Sequence, residues 1–240
     1  IILSFFGGVF TFLTMSVVAF ALTIGAVFWI YGRDLPSHES LAQYKPPTIS
    51  RIYSGEGRIV DEFARERRLF TGAKDVPILI KQAFISAEDK NFYSHPGYDL
   101  RGILSAAVDA ARSGGRRVRG ASTITQQVMK NFLLDGSRRA ERKIKEIILA
   151  TRIENTLDKE RILELYLNEI FLGQNSYGVT AAAQTYFNKT LDELAPHEAA
   201  FLASLPKAPS DFHPVRRKKR LLDRRNYVLK EMWQNGVLEE

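Results

Sequence analysis

The chain has 240 residues, 45% of them hydrophobic, a net charge of +7 and no cysteine. That length leaves room for one or two domains beyond any membrane segment, and the missing cysteine excludes disulfides and thiolate metal sites. A positive body selects phosphates, anionic lipid surfaces or nucleic acid as partners. The chain starts at Ile1 rather than Met and stops at Glu240 within a helical pattern, so both ends are expected to be cut from a longer protein.

Residues 1–31 carry no charge; the first charged side chain is Arg33. A bilayer core needs about 20 apolar residues, so a transmembrane helix is predicted over 1–31. Trp29 and Tyr31 stand where an interfacial aromatic belt would lie. The alternative is a cleaved signal peptide, whose apolar region is only about 7–15 residues long. Residues 32–74 read as a linker stiffened by Pro36, Pro46 and Pro47. Within it, 49–53 and 59–63 alternate apolar and polar around Ser54-Gly55-Glu56-Gly57, a hairpin signal. From 75 onward the pattern is mainly α. Asp75 is placed as the cap of a first helix with Pro77 in its first turn. Further helices are predicted from Asp99 to Ser113, over 122–133, 138–156, 157–172 and 178–187. Thr190 and Glu193 form a capping box for Leu191 onward, Pro196 restarts a helix to Leu205, and Pro214 opens the last one. There is no internal repeat.

The stretch from Glu88 to Lys130 concentrates the chemistry. Glu88-Asp89 ends an apolar helix just before His95-Pro96-Gly97. The loop 112–119 follows, with four arginines around Gly114-Gly115, mobile by composition and expected to close over bound substrate. Ser122, Thr123, Thr125, Gln126 and Gln127 come next, poor helix fillers unless they have partners. Lys130 lies three residues beyond Gln127, on the same face. Carboxylates serve proton transfer, arginines bind phosphates, and hydroxyls with amides suit sugars. Together they point to chemistry on a phosphorylated sugar.

On the helix 138–156, Arg139, Arg142, Lys143 and Glu146 fall within an arc of ~100°. Ile144, Ile147, Ile148 and Thr151 fall opposite. A carboxylate among those cations is held ionised; the competing reading is a solvated face laced with ion pairs. His95 beside Pro96 reads as a turn residue rather than a base. Ser204-Leu205-Pro206-Lys207 fits a Ser-x-x-Lys pattern, but no Lys-Thr-Gly follows and Pro206 breaks the turn, so it reads as a helix end. The run 216–220 of five cations fits nucleic acid or a membrane surface.

Five segments, in order, resemble the family 51 peptidoglycan glycosyltransferases, the membrane-anchored domain at the front of class A penicillin-binding proteins. They are 88–95, 120–127, 142–146, 164–178 and 198–206. Ala121 stands where that family usually has glycine, and Gln174-Asn175-Ser176 replaces the commoner Arg-Gly-Ala type. The resemblance implies a lysozyme-like helical domain over 75–240 with a hydrophobic jaw at the membrane. It also implies a transpeptidase domain absent from this chain. The implied reaction polymerises lipid II into glycan strands with inversion, releasing undecaprenyl diphosphate. By position, Glu88 would be the general base, and Glu146 would serve the donor diphosphate with Lys143 and Arg138. Asp89, Ser122, Gln127 and Lys130 would bind substrate, in a site that the inhibitor moenomycin also fills. A divalent cation, magnesium or manganese, would assist the diphosphate, with ligands the sequence leaves open. The resemblance further implies a single pass through the bacterial inner membrane, the catalytic domain on its outer side. It implies cell-wall synthesis proteins as partners and no nucleic acid. Two other readings stay open on the residues alone: a lysozyme-like hydrolase, which needs one acid at a glycosidic oxygen, and a non-enzymatic basic membrane or nucleic-acid binding module.

Overall fold

The computed structural model describes residues 2–33, 35–37, 41, 44, 50–56, 59–63, 67–114, 120, 122–134, 139–209, 211–212 and 216–239, without the side chains of 2–5, 50–53, 59–63, 67 and 139–140. The linker prolines 46 and 47, most of the arginine loop, Arg138 and Pro214 lie outside the described residues.

Helix α1 (Ile2–Gly32) contains a segment, Phe6–Gly32, with a mean hydropathy of 2.1 and none of it buried. Its C-terminal end meets the body, where Arg152 of the later helix Arg139–Glu154 donates to Gly32 O at 3.1 Å, and it is long and apolar enough to cross a bilayer. Its hydroxyls are satisfied internally: Thr11, Thr14, Ser16 and Thr23 each donate to the carbonyl four residues back, at 2.8–2.9 Å. That arrangement is what a lipid-exposed helix requires of its polar side chains.

The predicted hairpin forms from β1 (Ser50–Tyr53) and β2 (Ile59–Phe63), antiparallel, pairing Ser50 with Phe63 and irregular between Ile52 and Tyr53. A second ladder was not foreseen. β3 (Arg67–Arg68) pairs in parallel with β4 (Ser176–Tyr177). Two-residue strands leave no period in a sequence, which is why they escape detection.

The helical body comprises α2 (Ile78–Glu88), α3 (Leu100–Arg112), α4 (Ile124–Leu133), α5 (Arg139–Glu154), α6 (Lys159–Glu169), α7 (Val179–Phe187), α8 (Pro196–Ser204) and α9 (Lys218–Gln234). α2 packs against α8 and α9, and α4 against α5 and α6. Ile80, Phe84, Met129, Leu149, Ile153, Ile162, Tyr166, Leu202 and Met232 fill the shared core. The Phe84 and Tyr166 rings meet edge to face at 6.1 Å, the arrangement their quadrupoles favour.

Helix starts follow local chemistry, with corrections. Asp99 caps α3, accepting from Gly102 N at 3.0 Å. Thr123 rather than Ser122 caps α4, in a reciprocal box with Gln126. Asp75 is not the cap of α2; Pro77 occupies that position, with no side-chain bond. Thr190 and Glu193 do bond, at 2.8 and 3.0 Å, yet they close a turn, and the helix waits for Pro196. Ile144 and Ile147 are only half-buried, so the dry side of α5 is set by Ile148, Leu149, Ala150 and Ile153.

The motif 164–168 turns out to be a strap for the incoming chain. Asn168 Oδ1 accepts from Thr71 N at 2.8 Å, and its Nδ2 donates to Thr71 O at 2.9 Å. Glu164 Oε2 accepts from Ala73 N at 2.6 Å. These bonds lay residues 71–73 along α6.

Gly97 is the tightest point of the turn between α2 and α3. Its φ is +92°, and a Cβ there would lie 2.6 Å from Ala150 O in α5. Gly97→Ala therefore meets both backbone strain and a rigid carbonyl. It is expected to cost at least about 1–3 kcal/mol, read as a lowered midpoint in thermal or denaturant unfolding.

Candidate active site

Glu88 is the last residue of α2. Its Oε2 accepts from Gln127 Nε2 at 3.0 Å, and its Oε1 lies 3.4 Å from Arg224 Nη2. The side chain is 13% exposed, so it is mostly dry but reachable. Burial pushes the carboxyl above the usual carboxylate range, against the pull of Arg224, Gln127 and Lys207; Asp89 adds to the rise. Buried nearby, Tyr166 has a hydroxyl without a partner among the described residues. Burial, with the charges of Glu88 and Asp89, pushes that hydroxyl well above its ordinary value.

Asp89 points its Oδ2 into the fold. It accepts from His95 Nε2 at 2.8 Å and from Ile124 N, the first residue of α4, at 2.9 Å. An anion at a helix N-terminus is favourable, so Asp89 aims α4 at the end of α2. His95 Nδ1 accepts from Gly97 N at 3.1 Å, which leaves Nε2 to donate to Asp89. Thr123 Oγ1 donates to Gly97 O at 2.7 Å. The turn residue His95 thus fixes the geometry between Glu88 and α4.

On α5, Glu146 is buried, with a side chain 7% exposed. Lys143 Nζ donates to Glu146 Oε2 at 3.0 Å, Ser122 Oγ at 2.8 Å and Gln126 Oε1 at 2.9 Å. Arg142 Nε lies 3.4 Å from Glu146 Oε1. This is a tied node and not a loosely solvated charged face. Gln126 and Gln127 are neighbours on α4, one reaching the α5 node and the other Glu88. Gln126 Nε2 is buried without a partner among the described residues.

Glu88, Asp89, Ser122, Gln126, Gln127, Lys130 and Glu146 line one cleft of about 1400 Å³. Lys143 joins it through Ser122. Lys130, exposed in the last turn of α4, has no acid paired with it among the described residues. Arg138 falls outside the described residues. Sequence reasoning missed Lys207 and Arg224, which also line the cleft. Lys207 was set aside with its Ser-x-x-Lys neighbourhood; Ser204 itself is buried and donates to Ala200 O at 2.7 Å, so it is no nucleophile. Burial and Arg224 push the Lys207 ammonium below its ordinary value.

The wall formed by α3 is two-sided. Arg101, Ser105, Asp109 and Arg112 line the cleft, while Leu100, Leu104 and Val108 are 60%, 66% and 46% exposed. Among the described residues no three histidine or acidic side chains converge to hold a metal; Glu88 faces Arg224, and Glu146 faces Arg142 and Lys143.

The family model described as Transglycosylase matches residues 56–233. Penicillin-binding protein 1A of Rickettsia prowazekii (strain Madrid E) is 47% identical over 234 residues, 95% of this chain and 30% of that protein. Penicillin-binding protein 1A of Aquifex aeolicus (strain VF5) is 43% identical over 223 residues, 92% and 31% of the respective chains. The crystal structure of penicillin-binding protein 1A from Haemophilus influenzae aligns over 82% of this chain and 20% of that one, with 30% identity and a TM-score of 0.46. The chain spans about a third of the length of the curated relatives it matches. With the family model covering most of the chain, including the helices that build the cleft, this chain belongs to the transglycosylase family, the peptidoglycan glycosyltransferases of family 51.

Proposed function

We propose that the cleft polymerises lipid II, joining the growing lipid-linked strand as donor to a second lipid II as acceptor. The observation that carries this reading is the pair of adjacent amides on α4. Gln127 fixes Glu88, and Gln126 fixes the Lys143–Glu146 node, so a proton acceptor and a cationic anion-binding group share one cleft. Glu88 takes the proton of the acceptor's 4-hydroxyl as that oxygen bonds to the donor's anomeric carbon. The bond from that carbon to the diphosphate breaks on the opposite side, with inversion, and undecaprenyl diphosphate leaves with the electron pair. Lys143, Arg142 and the free Lys130 stand where that negative charge develops, which lowers the barrier. Arg138 joins them by its place in the motif. Glu146 keeps the cations in register, and Asp89 serves by aiming α4. Magnesium or manganese would enter with the diphosphate as part of the substrate, because Glu88 and Glu146 already face cations.

A raised Glu88 alone would equally suit the general acid of a hydrolase. The cationic node favours transfer from a diphosphate donor, since hydrolysis of a glycosidic bond releases no anion for it to hold. Moenomycin, a phosphoglycolipid, is proposed to bind the same node.

Location follows from two apolar surfaces. The apolar stretch of α1 is unburied, and α3 exposes Leu100, Leu104 and Val108 while its polar side lines the cleft. We place the protein in the bacterial inner membrane, the domain on its outer face with α3 dipping into the interface, where both lipid-tailed substrates reside. Changing Leu100, Leu104 and Val108 together to serine is expected to raise KM for membrane-embedded lipid II several-fold, with the melting temperature held within a few degrees because these side chains are exposed. An unchanged KM in vesicles would remove α3 from the membrane contact.

A further inference from the structure

Glu88 is faced by Gln127 from α4, Tyr166 from α6, Lys207 after α8 and Arg224 from α9, with Asp89 beside it in sequence and Lys130 lining the same cleft. Among these, Arg224 is held independently of Glu88. Its Nη2 donates to Ala87 O at 3.4 Å, at the C-terminal end of α2 where a cation is favoured. Its guanidinium lies over the Tyr227 ring at 4.8 Å, a cation–π contact that fixes the plane. The side chain is 13% exposed, and its Nε is buried with no partner among the described residues. Asn235 Nδ2 donates to Ser86 Oγ at 3.0 Å, so α9 grips the last turn of α2 at a second point. Arg224 is thus a fixed fork set against the carboxylate, approaching from the side opposite in bonding terms to Gln127: one oxygen faces the amide, the other the guanidinium.

We propose that Arg224 is a positioning residue for Glu88: anchored on Ala87 O and Tyr227, it orients the carboxylate with Gln127 and keeps it anionic in a mostly dry cleft. The inference rests on the reading of Glu88 as general base, but the link between the two side chains can be tested separately from it. Lys207, whose own charge burial disfavours, cannot replace Arg224, since it lacks the fork and the carbonyl anchor.

The test follows Glu88 directly, by ¹³C NMR of carboxyl-labelled glutamate in the detergent-solubilised full chain, with the Glu88 signal assigned by its loss in Glu88→Gln. In parallel, the pH dependence of lipid II polymerisation is measured. Arg224→Gln is expected to move the Glu88 midpoint up by roughly one unit or more, and the acid limb of kcat/KM by the same amount. Arg224→Lys keeps the charge and is expected to leave the limb in place while kcat falls roughly tenfold or more with KM little changed. A Glu88 midpoint unmoved in Arg224→Gln would overturn the proposal. So would an Arg224→Lys variant with wild-type kcat, which remains informative if the glutamine variant fails to fold. A midpoint that moves while the acid limb stays would uphold the Arg224–Glu88 link and remove Glu88 as the base.

Discussion

Replacing Glu88 by glutamine is expected to lower glycan polymerisation at least about 10²-fold, while moenomycin binding and the fold persist. The amide keeps the shape and can still meet Gln127, but it cannot accept a proton. Stability should respond in a definite direction. The folded-state pKa of Glu88 lies above its ordinary value of 4.5, so the folded protein binds this proton more tightly than the unfolded chain. Stability linked to Glu88 is therefore present below the ordinary value and is lost as pH rises through the window up to the raised one. Glutamine cannot ionise and escapes that loss. The melting temperature of Glu88→Gln relative to the unaltered protein should climb as pH rises from the ordinary value of 4.5 through the raised one. Near-normal polymerisation by this variant would remove Glu88 as the base.

Lys143→Ala is expected to weaken moenomycin binding by about 1.5–3 kcal/mol, the worth of a hydrogen bond to a charged group, which is roughly ten- to 10²-fold in Kd. The same substitution frees Ser122 Oγ, Gln126 Oε1 and Glu146 Oε2 at once. Gln126 and Glu146 are buried, so stability should fall too, by more than the ~1 kcal/mol ceiling of an exposed pair. Glu146→Gln leaves Arg142 and Lys143 without their anion and should reduce polymerisation more than it reduces the melting temperature. Titrating moenomycin against each variant, beside its melting curve, separates the two effects. Wild-type affinity and polymerisation in both would return α5 to a structural role.

The positions of these groups were legible to different degrees. Glu88 could be singled out because it ends an apolar helix before a turn, and Gln127 because amides and hydroxyls crowd a helix start. Glu146 was ambiguous: three cations on its helical face look the same whether the face is wet or tied down. Lys143, which bonds Glu146, is tied in turn to Ser122 and Gln126 at the start of α4, so only the packing of α4 on α5 decides the matter. Asp89 lines the cleft as expected of a substrate-binding residue, and its bonds to His95 and Ile124, unreadable in the sequence, also build the corner. Arg224 was invisible, lying 136 residues after Glu88 and just beyond a run of basic residues that reads as surface. The amphipathic period of α3 was plain, but sequence alone assigns the apolar side of a helix to a core. Here it stays exposed, and the polar side meets the cleft.

Incubating the purified chain with lipid II in vesicles, with and without moenomycin, tests the central claim most directly. Lipid-linked glycan strands that lengthen with time and vanish with moenomycin are the expected result. No polymer from intact lipid II, or free reducing ends released from preformed glycan in its place, would contradict it.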